Sequence, residues 1–495
     1  MSARAESASL DDAVRAAACE GVAVRIEAEG IETVRVGWCD LHGALRGKTL
    51  VAGALADAFA SGVGMVSTIL LKDTSDRTAY RVFEPGLGDT LPGFGFANNV
   101  VLRLDPTSFR VVPWAPATGW LRGEACFDDG SAVPIDTRRI LQAALARLAH
   151  AGYGLVCGLE VEFHIYRLSA PDSDRSLDPA LAAWPGEPPQ VTMIHPGYNL
   201  LAEAWADLAD EPLAIVRAVA QGLGLPLRSL EIELGPSQVE AVFEPVDALT
   251  AADQMVLFRN GVRQALRRAG YHASFVCRPP FPDVMASGWH LHHSLIELAS
   301  GANAFVRARP AEGSGEADAV HTLSDVGAQW LAGLLVHGRA MAALCAPTIN
   351  AYARFRPNAL APQSVVWGRD NRGAMLRLLG RCGDAGTRIE NRIGEPMANP
   401  YLYMAAQIHA GLDGIARSLA PPPSAGTPYG DSAAARLPVS LGEALDALAG
   451  DDALVRGFTP QVVDWFARIK RFEIARHAAA ADSEAWQARE YFGRF

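Results

Sequence analysis

Glutamate and histidine residues alternate along strand-like segments of this 495-residue chain, and both residue types can bind divalent cations. The first segment is GLEVEFHIY, residues 158–166. Successive side chains of a strand point to opposite faces, so Glu160, Glu162 and His164 share one face, and apolar residues occupy the other. Two carboxylates one pleat apart repel each other unless they are exposed, share a proton or bind cations. Taken alone, this pair is more typical of a solvated face than of a site.

Two further segments carry the same residue types. Residues 229–245 contain glutamates on both sides of a Gly-Pro break, which can fold the acids back together: Glu231, Glu233, Glu240 and Glu244. In residues 285–295, His290, His292 and Ser294 share one face of a predicted strand. Alternating histidines after a glycine suit either a metal ion or a phosphate group.

In the fourth segment, residues 387–402, Arg388, Glu390 and Arg392 alternate on one face. An acid between two arginines is most simply a structural ion pair, unless a cation and an anionic substrate share the site. Carboxylates with one imidazole favour Mg²⁺ or Mn²⁺ over zinc. The seven cysteines form no CxxC pair, which also argues against zinc and fits reduced thiols in a cytosol.

Five motifs, in this order, resemble those of the glutamine synthetase superfamily. They are LEVEF, ELGPSQVE, SGWHLHHSL, PTINAYARFRPNALAP (347–362), and TRIENR followed by ANPYLYMAAQIHAGLDGI (398–415). Members of this superfamily activate the γ-carboxylate of glutamate as an acyl phosphate, using ATP, and transfer it to an amine. The resemblance covers nearly the whole chain and implies a γ-glutamyl-amine ligase, of the γ-glutamylamide, γ-glutamylanilide or γ-glutamylpolyamine synthetase type.

The resemblance also implies a role for individual residues. It assigns two Mg²⁺ or Mn²⁺ ions, the first to Glu162, Glu233 and Glu240 and the second to Glu160, His290 and Glu390. It assigns the glutamate carboxylates to Arg354 and Arg392, the ATP phosphates to Arg372 and Arg377, and the nearby nucleotide contacts to Arg388, His292 and Ser294. Arg354, Arg372 and Arg392 are thereby the expected catalytic residues. A planar guanidinium group binds carboxylate or phosphate bidentately, which suits both tasks.

One departure from the family pattern concerns the amine. Leu360 occupies the position of a glutamate that ammonia-using members carry, and their N-terminal aspartate is also not visible. The corresponding stretch, residues 62–80, offers Asp73 or Asp76 as a replacement. Ammonium must lose a proton before it attacks, and leucine cannot accept one. The sequence therefore predicts an amine that is apolar or already neutral at pH 7, such as an aromatic amine, ahead of a polyamine.

Other departures leave alternatives open. Met285 and Ala286 replace an asparagine and a glycine that help to hold the amino-acid substrate, so glutamate is expected without being required. An ammonia-using glutamine synthetase with an unseen acid is one alternative function. A non-catalytic regulator is the other, although all six expected metal ligands are present.

Composition bounds the partners. A net charge of −11 argues against a nucleic-acid partner. The longest apolar stretch, residues 330–346, is interrupted by His337 and Arg339, so we expect no membrane partner. The N-terminus lacks the apolar core of a secretion signal, and we expect a cytoplasmic protein. The resemblance implies a homo-oligomeric ring, a dodecamer or a decamer, with active sites between subunits.

The elements that must position these residues indicate an α+β protein. Residues 31–51 read as two strands around a Leu-His-Gly turn, and residues 98–105 as a third strand. Asp136 is the expected N-cap of a helix that runs to Gly152. The resemblance implies an N-terminal β-grasp domain, residues 1–125, and a catalytic domain, residues 126–495, with a curved antiparallel sheet flanked by helices.

Overall fold

The computed structural model describes residues 2–169, 182–356, 360–430 and 434–495, which form helices and two β-sheets. The strands are β1 Thr33–Cys39, β2 Leu45–Val51, β3 Val63–Val66, β4 Asn99–Val111, β5 Thr118–Cys126, β6 Tyr153–Leu168, β7 Val191–Met193, β8 Leu227–Ile232, β9 Gln238–Phe243, β10 Val246–Asp247, β11 Tyr271–Ser274, β12 Trp289–Glu297, β13 Trp367–Arg369, β14 Leu376–Leu379 and β15 Arg388–Asn391. The helices are α1 Ser2–Ala28, α2 Leu55–Ser61, α3 Leu87–Thr90, α4 Thr137–His150, α5 Glu203–Leu208, α6 Asp210–Gly222, α7 Ala248–Arg268, α8 Asp325–Val336, α9 Gly338–Cys345, α10 Pro400–Ala416, α11 Leu441–Ala449, α12 Asp452–Phe458, α13 Pro460–Ala478 and α14 Ser483–Gln487.

The first sheet contains five strands in the order β2-β1-β5-β4-β3. Strands β1 and β2 are the two predicted between residues 31 and 51, and they pair antiparallel around the predicted turn. The predicted strand at 98–105 is the first part of β4. The α+β prediction is confirmed. The boundary between residues 125 and 126 stays a prediction, and β5 ends at Cys126.

The second sheet is built around the long strand β6, which pairs with β12 on one side and β9 on the other. The continuous order is β13-β14-β15-β12-β6-β9-β8, and all pairs but β13 with β14 are antiparallel. Val161, Phe163 and Ile165 of β6 are fully buried on one face. The alternation predicted for this strand therefore leaves Glu160 and Glu162 on the other face, where neighbouring strands add their own polar side chains.

Two helix caps join the two parts of the chain. Asp136 caps α4 as predicted, accepting from the backbone of Arg138 and Arg139, and it also accepts from Trp38 Nε1 at 3.0 Å. Asn399 caps α10, and its amide nitrogen donates to the Asp40 carbonyl at 3.0 Å in the turn between β1 and β2. Each cap satisfies free N–H groups of a helix start and a polar group of the first sheet at once.

The apolar stretch 330–346 lies mostly in α8 and α9. Helix α8 packs closely on α10, and a glycine on each helix permits the approach. A Cβ atom at Gly333 would lie 2.2 Å from the Ala410 carbonyl oxygen, and a Cβ atom at Gly414 would lie 2.1 Å from the Gln329 carbonyl oxygen. Larger residues at either glycine would force the helices apart. Among the described residues, no helix is long and apolar enough to cross a membrane.

A buried histidine joins the helices at the break between α8 and α9. His337 Nδ1 contacts Asp451 at 2.6 Å, and its Nε2 contacts Asp413 at 3.0 Å. Burial lowers the pKa of His337, but the two aspartates outweigh burial and the net pKa is raised. Contact with His337 likewise outweighs burial at Asp413 and Asp451, whose pKa values are lowered. Arg417 also contacts Asp413, at 2.9 Å.

We expect the substitution His337→Gln to lower the free energy of unfolding by about 2 kcal/mol at pH 6, because the partly buried Asp413 and Asp451 both lose a cationic partner. The raised pKa means that charged His337 stabilises fully below its unfolded value, near pH 6.5, and that this contribution fades as the pH rises through the folded value. The lowered aspartate values make their contribution present above about pH 4 and lost as the pH falls further.

Urea unfolding at pH 6 and pH 9 checks this prediction. The difference in the free energy of unfolding between wild type and His337→Gln should be larger at pH 6 than at pH 9. The variant His150→Gln, at an exposed helix end, is the control and should differ less from wild type. An equal gap at both pH values would show that the histidine charge contributes nothing.

Candidate active site

A cluster of three carboxylates forms where β6, β8 and β9 meet. Glu162 lies directly opposite Glu240 in the β6–β9 ladder. Glu233 follows β8, and its backbone N–H donates to the Gln238 carbonyl at 3.0 Å. The predicted folding back at the Gly-Pro break is confirmed, because β8 and β9 pair antiparallel. One carboxylate oxygen each of Glu162, Glu233 and Glu240 lies within 4.8 Å of the others.

A second cluster lies one pleat away. Glu160 is opposite His290 in the β6–β12 ladder, and His292 is opposite Glu390 in the β12–β15 ladder. His290 Nδ1 lies 3.4 Å from Glu160 and 3.8 Å from Glu390. The groups that fit within 4.8 Å include Glu160 with His292 and Glu390, and Glu160 with Glu240 and His290. The structure thus brings all six expected metal ligands together and adds His292 to their neighbourhood.

The electrostatics of the three-carboxylate cluster favour a cation. Burial and the Glu233 carboxylate raise the pKa of Glu162 to about 8. Burial and the charges of Glu160 and Glu162 raise the pKa of Glu240 to about 11. Burial also raises the pKa of Glu233. Three carboxylates at this distance cannot all ionise without a compensating charge, and a divalent cation supplies one.

The donor set fits such ions. The first cluster offers oxygen ligands, and the second offers carboxylates with imidazole, the combination suited to Mg²⁺ or Mn²⁺. His290 Nδ1 is buried and makes no hydrogen bond with the described residues. In the second cluster burial raises the pKa of Glu160, but contacts with His290 and His292 outweigh burial and the net pKa is lowered. This carboxylate is therefore ionised and able to bind a cation.

His292 is held in one tautomer by its neighbours. Arg388 Nε donates to His292 Nδ1 at 3.1 Å, and an arginine can only donate. The ring proton is therefore on Nε2, which donates to Glu160 at 2.8 Å. Ser294 lies two residues further along β12, opposite Val156. Of these three predicted nucleotide contacts, Arg388 and His292 contact each other, and Ser294 lies one pleat further along β12.

Arg392 connects several predicted site residues. Its Nη1 donates to Glu390, its Nη2 to the Leu360 carbonyl at 3.2 Å, and its Nε to the Arg372 carbonyl at 3.0 Å. The guanidinium group has five N–H groups, so one on each terminal nitrogen remains for a ligand. Burial raises the pKa of Glu390, but the charges of Arg392, His290 and His292 together outweigh burial and the net pKa is lowered.

Arg354 lies beside Arg392 and is buried. Its Nη1 donates to the carbonyls of Arg392 and Gly394, at 2.9 and 3.3 Å, and its Nη2 lies 3.3 Å from His290 Nε2. Gly288 allows this approach, because a Cβ atom there would lie 2.4 Å from Arg354 Nη2. The two arginines predicted to bind glutamate therefore lie against the second carboxylate cluster.

The arginine partners of Glu390 in the structure differ in part from those that the sequence predicted. Glu390 pairs with Arg392, as the alternation indicated, but its second arginine is Arg377 of β14 at 3.0 Å, and not Arg388. Arg377 also contacts Asp370, a residue that the sequence analysis did not single out. Arg388 lies at the strand end, where it contacts His292.

Leu360 lies at the edge of this group of arginines. The residue is 55% exposed, and its backbone adopts the left-handed region, with φ of +53°. Residues 357–359, in the middle of the motif at 347–362, lie outside the described residues. The Leu360 carbonyl accepts a hydrogen bond from Arg392, so the residue predicted to face the amine lies beside an arginine predicted to bind glutamate.

Met285 and Ala286 lie against the turn between β8 and β9. Gln238 Nε2 donates to the Ala286 carbonyl at 3.4 Å and to Glu162 at 3.3 Å, and Gly288 N donates to Glu162 at 2.6 Å. Sequence reasoning missed Gln238. The usable signal was a polar amide inside the ELGPSQVE motif, between two predicted metal ligands. Gln238 orients a carboxylate of the first cluster.

The two aspartates considered as replacements for the ammonium-site acid are engaged elsewhere. Asp73 is fully buried and pairs with Arg476. Asp76 pairs with Arg46 at 3.2 Å and with Lys72 at 2.9 Å. Both carboxylates therefore contact cations of their own chain.

Comparisons with known proteins agree with this geometry. The family model described as glutamine synthetase, catalytic domain, matches residues 134–491. A gamma-glutamylanilide synthase from an Acinetobacter species is 37% identical over 492 residues, covering 96% of this chain and 95% of that protein. A gamma-glutamylethanolamide synthetase from Streptomyces coelicolor is 31% identical, covering 95% and 94%. A solved structure described as a GmaS/ADP complex superimposes with a TM-score of 0.74 and 27% identity over 94% of this chain and 98% of the other.

Proposed function

Because the chain belongs to the glutamine synthetase family, we propose that it is an ATP-dependent ligase that joins the γ-carboxylate of glutamate to an amine. The reaction passes through γ-glutamyl phosphate. The amine is apolar or aromatic and is preferred over ammonia. The observation that carries this proposal is the position of Arg392, which contacts Glu390 of the carboxylate clusters and the carbonyl of Leu360 at once.

The carboxylate clusters are assigned to two divalent cations. Glu162, Glu233 and Glu240 would hold one Mg²⁺ or Mn²⁺ ion, and Glu160, His290 and Glu390 the other. When bound, such ions neutralise phosphate charge during phosphoryl transfer. Gln238 and the Gly288 backbone keep the Glu162 carboxylate oriented.

The arginines bind and orient the substrates. Arg354 and Arg392 hold the glutamate carboxylates with the N–H groups that their protein contacts leave free. Arg372, which is exposed, and Arg377 face the ATP phosphates, and Arg388, His292 and Ser294 line the nucleotide beside them. Met285 and Ala286 complete the glutamate site next to Gln238. These contacts act by positioning and charge stabilisation.

The preference for an apolar amine rests on Leu360 and on the relatives. An exposed leucine offers an amine substituent apolar surface and has no carboxylate to capture ammonium. The names of two relatives, an anilide synthase and an ethanolamide synthetase, support an amine larger than ammonia. Of these two, the aromatic amine fits a leucine better and is already neutral at pH 7.

The test is phosphate release from ATP with Mg²⁺ and glutamate, in parallel with ammonia, methylamine, ethanolamine, isopropylamine, putrescine and aniline, with mass detection of the products. We expect a γ-glutamyl amide with a larger amine and little product with ammonia. A preference for ammonia would overturn the amine assignment. No product with any amine would favour another acid substrate or the non-catalytic alternative.

We expect Leu360→Glu to lower kcat/KM for aniline by about 10- to 100-fold and to raise kcat/KM for ammonia, because one apolar contact is lost and an acid is gained. The variant Leu360→Gln is the matched control, since glutamine is polar and has the size of glutamate but carries no charge. It should lose aniline activity and gain none with ammonia. If neither variant changes the ratio of the two amines, Leu360 does not contact the amine.

We further place the protein in the cytoplasm, as a homo-oligomeric ring with active sites between subunits. The family membership supports a ring, and the N-terminal sheet would then contribute to a neighbouring site. Neither a nucleic acid nor a membrane is a partner in this proposal, consistent with the net charge of −11.

A further inference from the structure

Tyr429 contacts the segment that carries Leu360. Its hydroxyl donates to the Ala361 carbonyl at 3.1 Å. The phenol ring reaches this position because residue 373 is a glycine. A Cβ atom at Gly373 would lie 2.8 Å from Pro428 Cγ and 3.1 Å from Tyr429 Cε2. Tyr429 is half-buried in a turn beyond α10, remote in sequence from Ala361, and no motif of the sequence analysis gave it a role.

Two neighbouring carbonyls of this segment are held from two directions. Arg392 Nη2 donates to the Leu360 carbonyl at 3.2 Å, and Tyr429 donates to the next one. Leu360 has φ of +53°, a region that disfavours residues with a Cβ atom. A leucine stays in this conformation when its surroundings hold it there. The two hydrogen bonds are such a constraint.

The backbone that follows reinforces the contact. Val365 N donates to the Ala435 carbonyl at 2.8 Å, and Leu437 N donates to the Gln363 carbonyl at 3.0 Å. The segment after Ala361 is therefore paired with the segment after Tyr429. Burial raises the pKa of Tyr429, and the charges of Arg392 and Arg354 act in the opposite direction.

We propose that Tyr429 is a positioning residue that holds Leu360 beside Arg392 and so controls what reaches the acyl phosphate. This inference rests on the proposed function. With Leu360 in place, the amine attacks the γ-carbonyl carbon of γ-glutamyl phosphate, the bond to the phosphate oxygen breaks, and phosphate, the amide and a proton result. Without it, water attacks instead and yields glutamate and phosphate. The enzyme then consumes ATP without making amide.

The substitution Tyr429→Phe removes the hydroxyl and keeps the ring. With aniline, wild type should release about one phosphate per amide formed, and we expect the variant to release about three or more. The ratio of kcat/KM for aniline to kcat/KM for ammonia should fall about tenfold. The KM for ATP should change less than about twofold, because the hydroxyl that is removed donates to the Ala361 carbonyl. A merely structural role would lower all rates together and leave the ratios unchanged.

Tyr271→Phe is the matched control. Its hydroxyl contacts Glu211 at 2.6 Å and Arg167 at 2.8 Å, at another edge of the sheet. The control should leave both ratios unchanged. Gly373→Ala is a second perturbation, which displaces the phenol without removing the hydroxyl, and it should raise the phosphate-to-amide ratio as well.

Hydrogen exchange of residues 360–366 gives a readout that does not need activity. Exchange should be faster in Tyr429→Phe than in wild type. Unchanged exchange and unchanged ratios would overturn the inference. A wild-type protein that makes no amide with any amine would instead count against the proposed function, and the exchange result would still decide whether Tyr429 holds the segment.

Discussion

Replacing Arg392 with lysine lowers kcat/KM for glutamate by about 10³-fold, or about 4 kcal/mol of transition-state stabilisation. The physical reason is geometric. Arg392 donates in three directions, to Glu390 and to the carbonyls of Leu360 and Arg372, while two N–H groups remain for the substrate. A lysine ammonium is a compact charge that cannot satisfy these oxygens and a carboxylate together.

Steady-state kinetics with glutamate, ATP and the best amine measure this effect. Arg381→Lys is the control, because Arg381 is exposed in the turn between β14 and β15, and it should change kcat/KM less than about twofold. Thermal unfolding must be followed in parallel, since Glu390 is fully buried and keeps Arg377 as a partner in the variant. A folded variant with near wild-type kcat/KM would show that Arg392 has only a structural role.

Residue alternation was sufficient to predict which side chains share a face. It placed Glu160 and Glu162 together, and it placed His290 with His292, as the structure has them. The Gly-Pro break indicated the fold-back that brings Glu240 near Glu162, because a break between two short apolar segments favours a hairpin. The clustering of these carboxylates and histidines could therefore be anticipated from local patterns together with the family motifs.

Alternation gives the face of a strand and not the depth of a side chain. His164 follows Glu162 on the same face, yet it is fully buried, and its Nδ1 lies 3.3 Å from Ser287 Oγ. The segment before β12 covers it. Which long-range segment covers a strand end depends on packing across the whole domain, and a period of two residues does not contain that information.

Partners supplied by another strand or turn were equally hidden. Arg377 reaches Glu390 because β14 and β15 pair in the register that places the two residues opposite each other. The sequence could not distinguish this register from one in which Arg388 is the partner. Tyr429 reaches Ala361 across 68 positions of the chain. Such contacts follow from the tertiary fold, whereas caps such as Asp136 are local and were predicted.

We expect that replacing Glu240 with glutamine removes one of the two proposed divalent cations and lowers amide synthesis by about 10³-fold, while the metal-free protein keeps its stability. The raised pKa of Glu240, about 11 without a cation, means that this carboxyl is already neutral at pH 7, so a neutral amide of the same shape costs little. The proposed cation should be lost because two carboxylates and an amide bind a divalent ion less well than three carboxylates.

Glu231 provides the matched control for Glu240, because it lies directly opposite Glu240 in the β8–β9 ladder and contacts Ser229 at 2.7 Å, outside the three-carboxylate cluster. Added MnCl₂ should raise the melting temperature of wild type and of Glu231→Gln, and it should raise that of Glu240→Gln clearly less. Calorimetric titration should count one Mn²⁺ ion fewer in Glu240→Gln. Equal manganese binding by both variants would show that Glu240 is not a ligand of the cation. The raised pKa values in the three-carboxylate cluster would then have no bearing on catalysis.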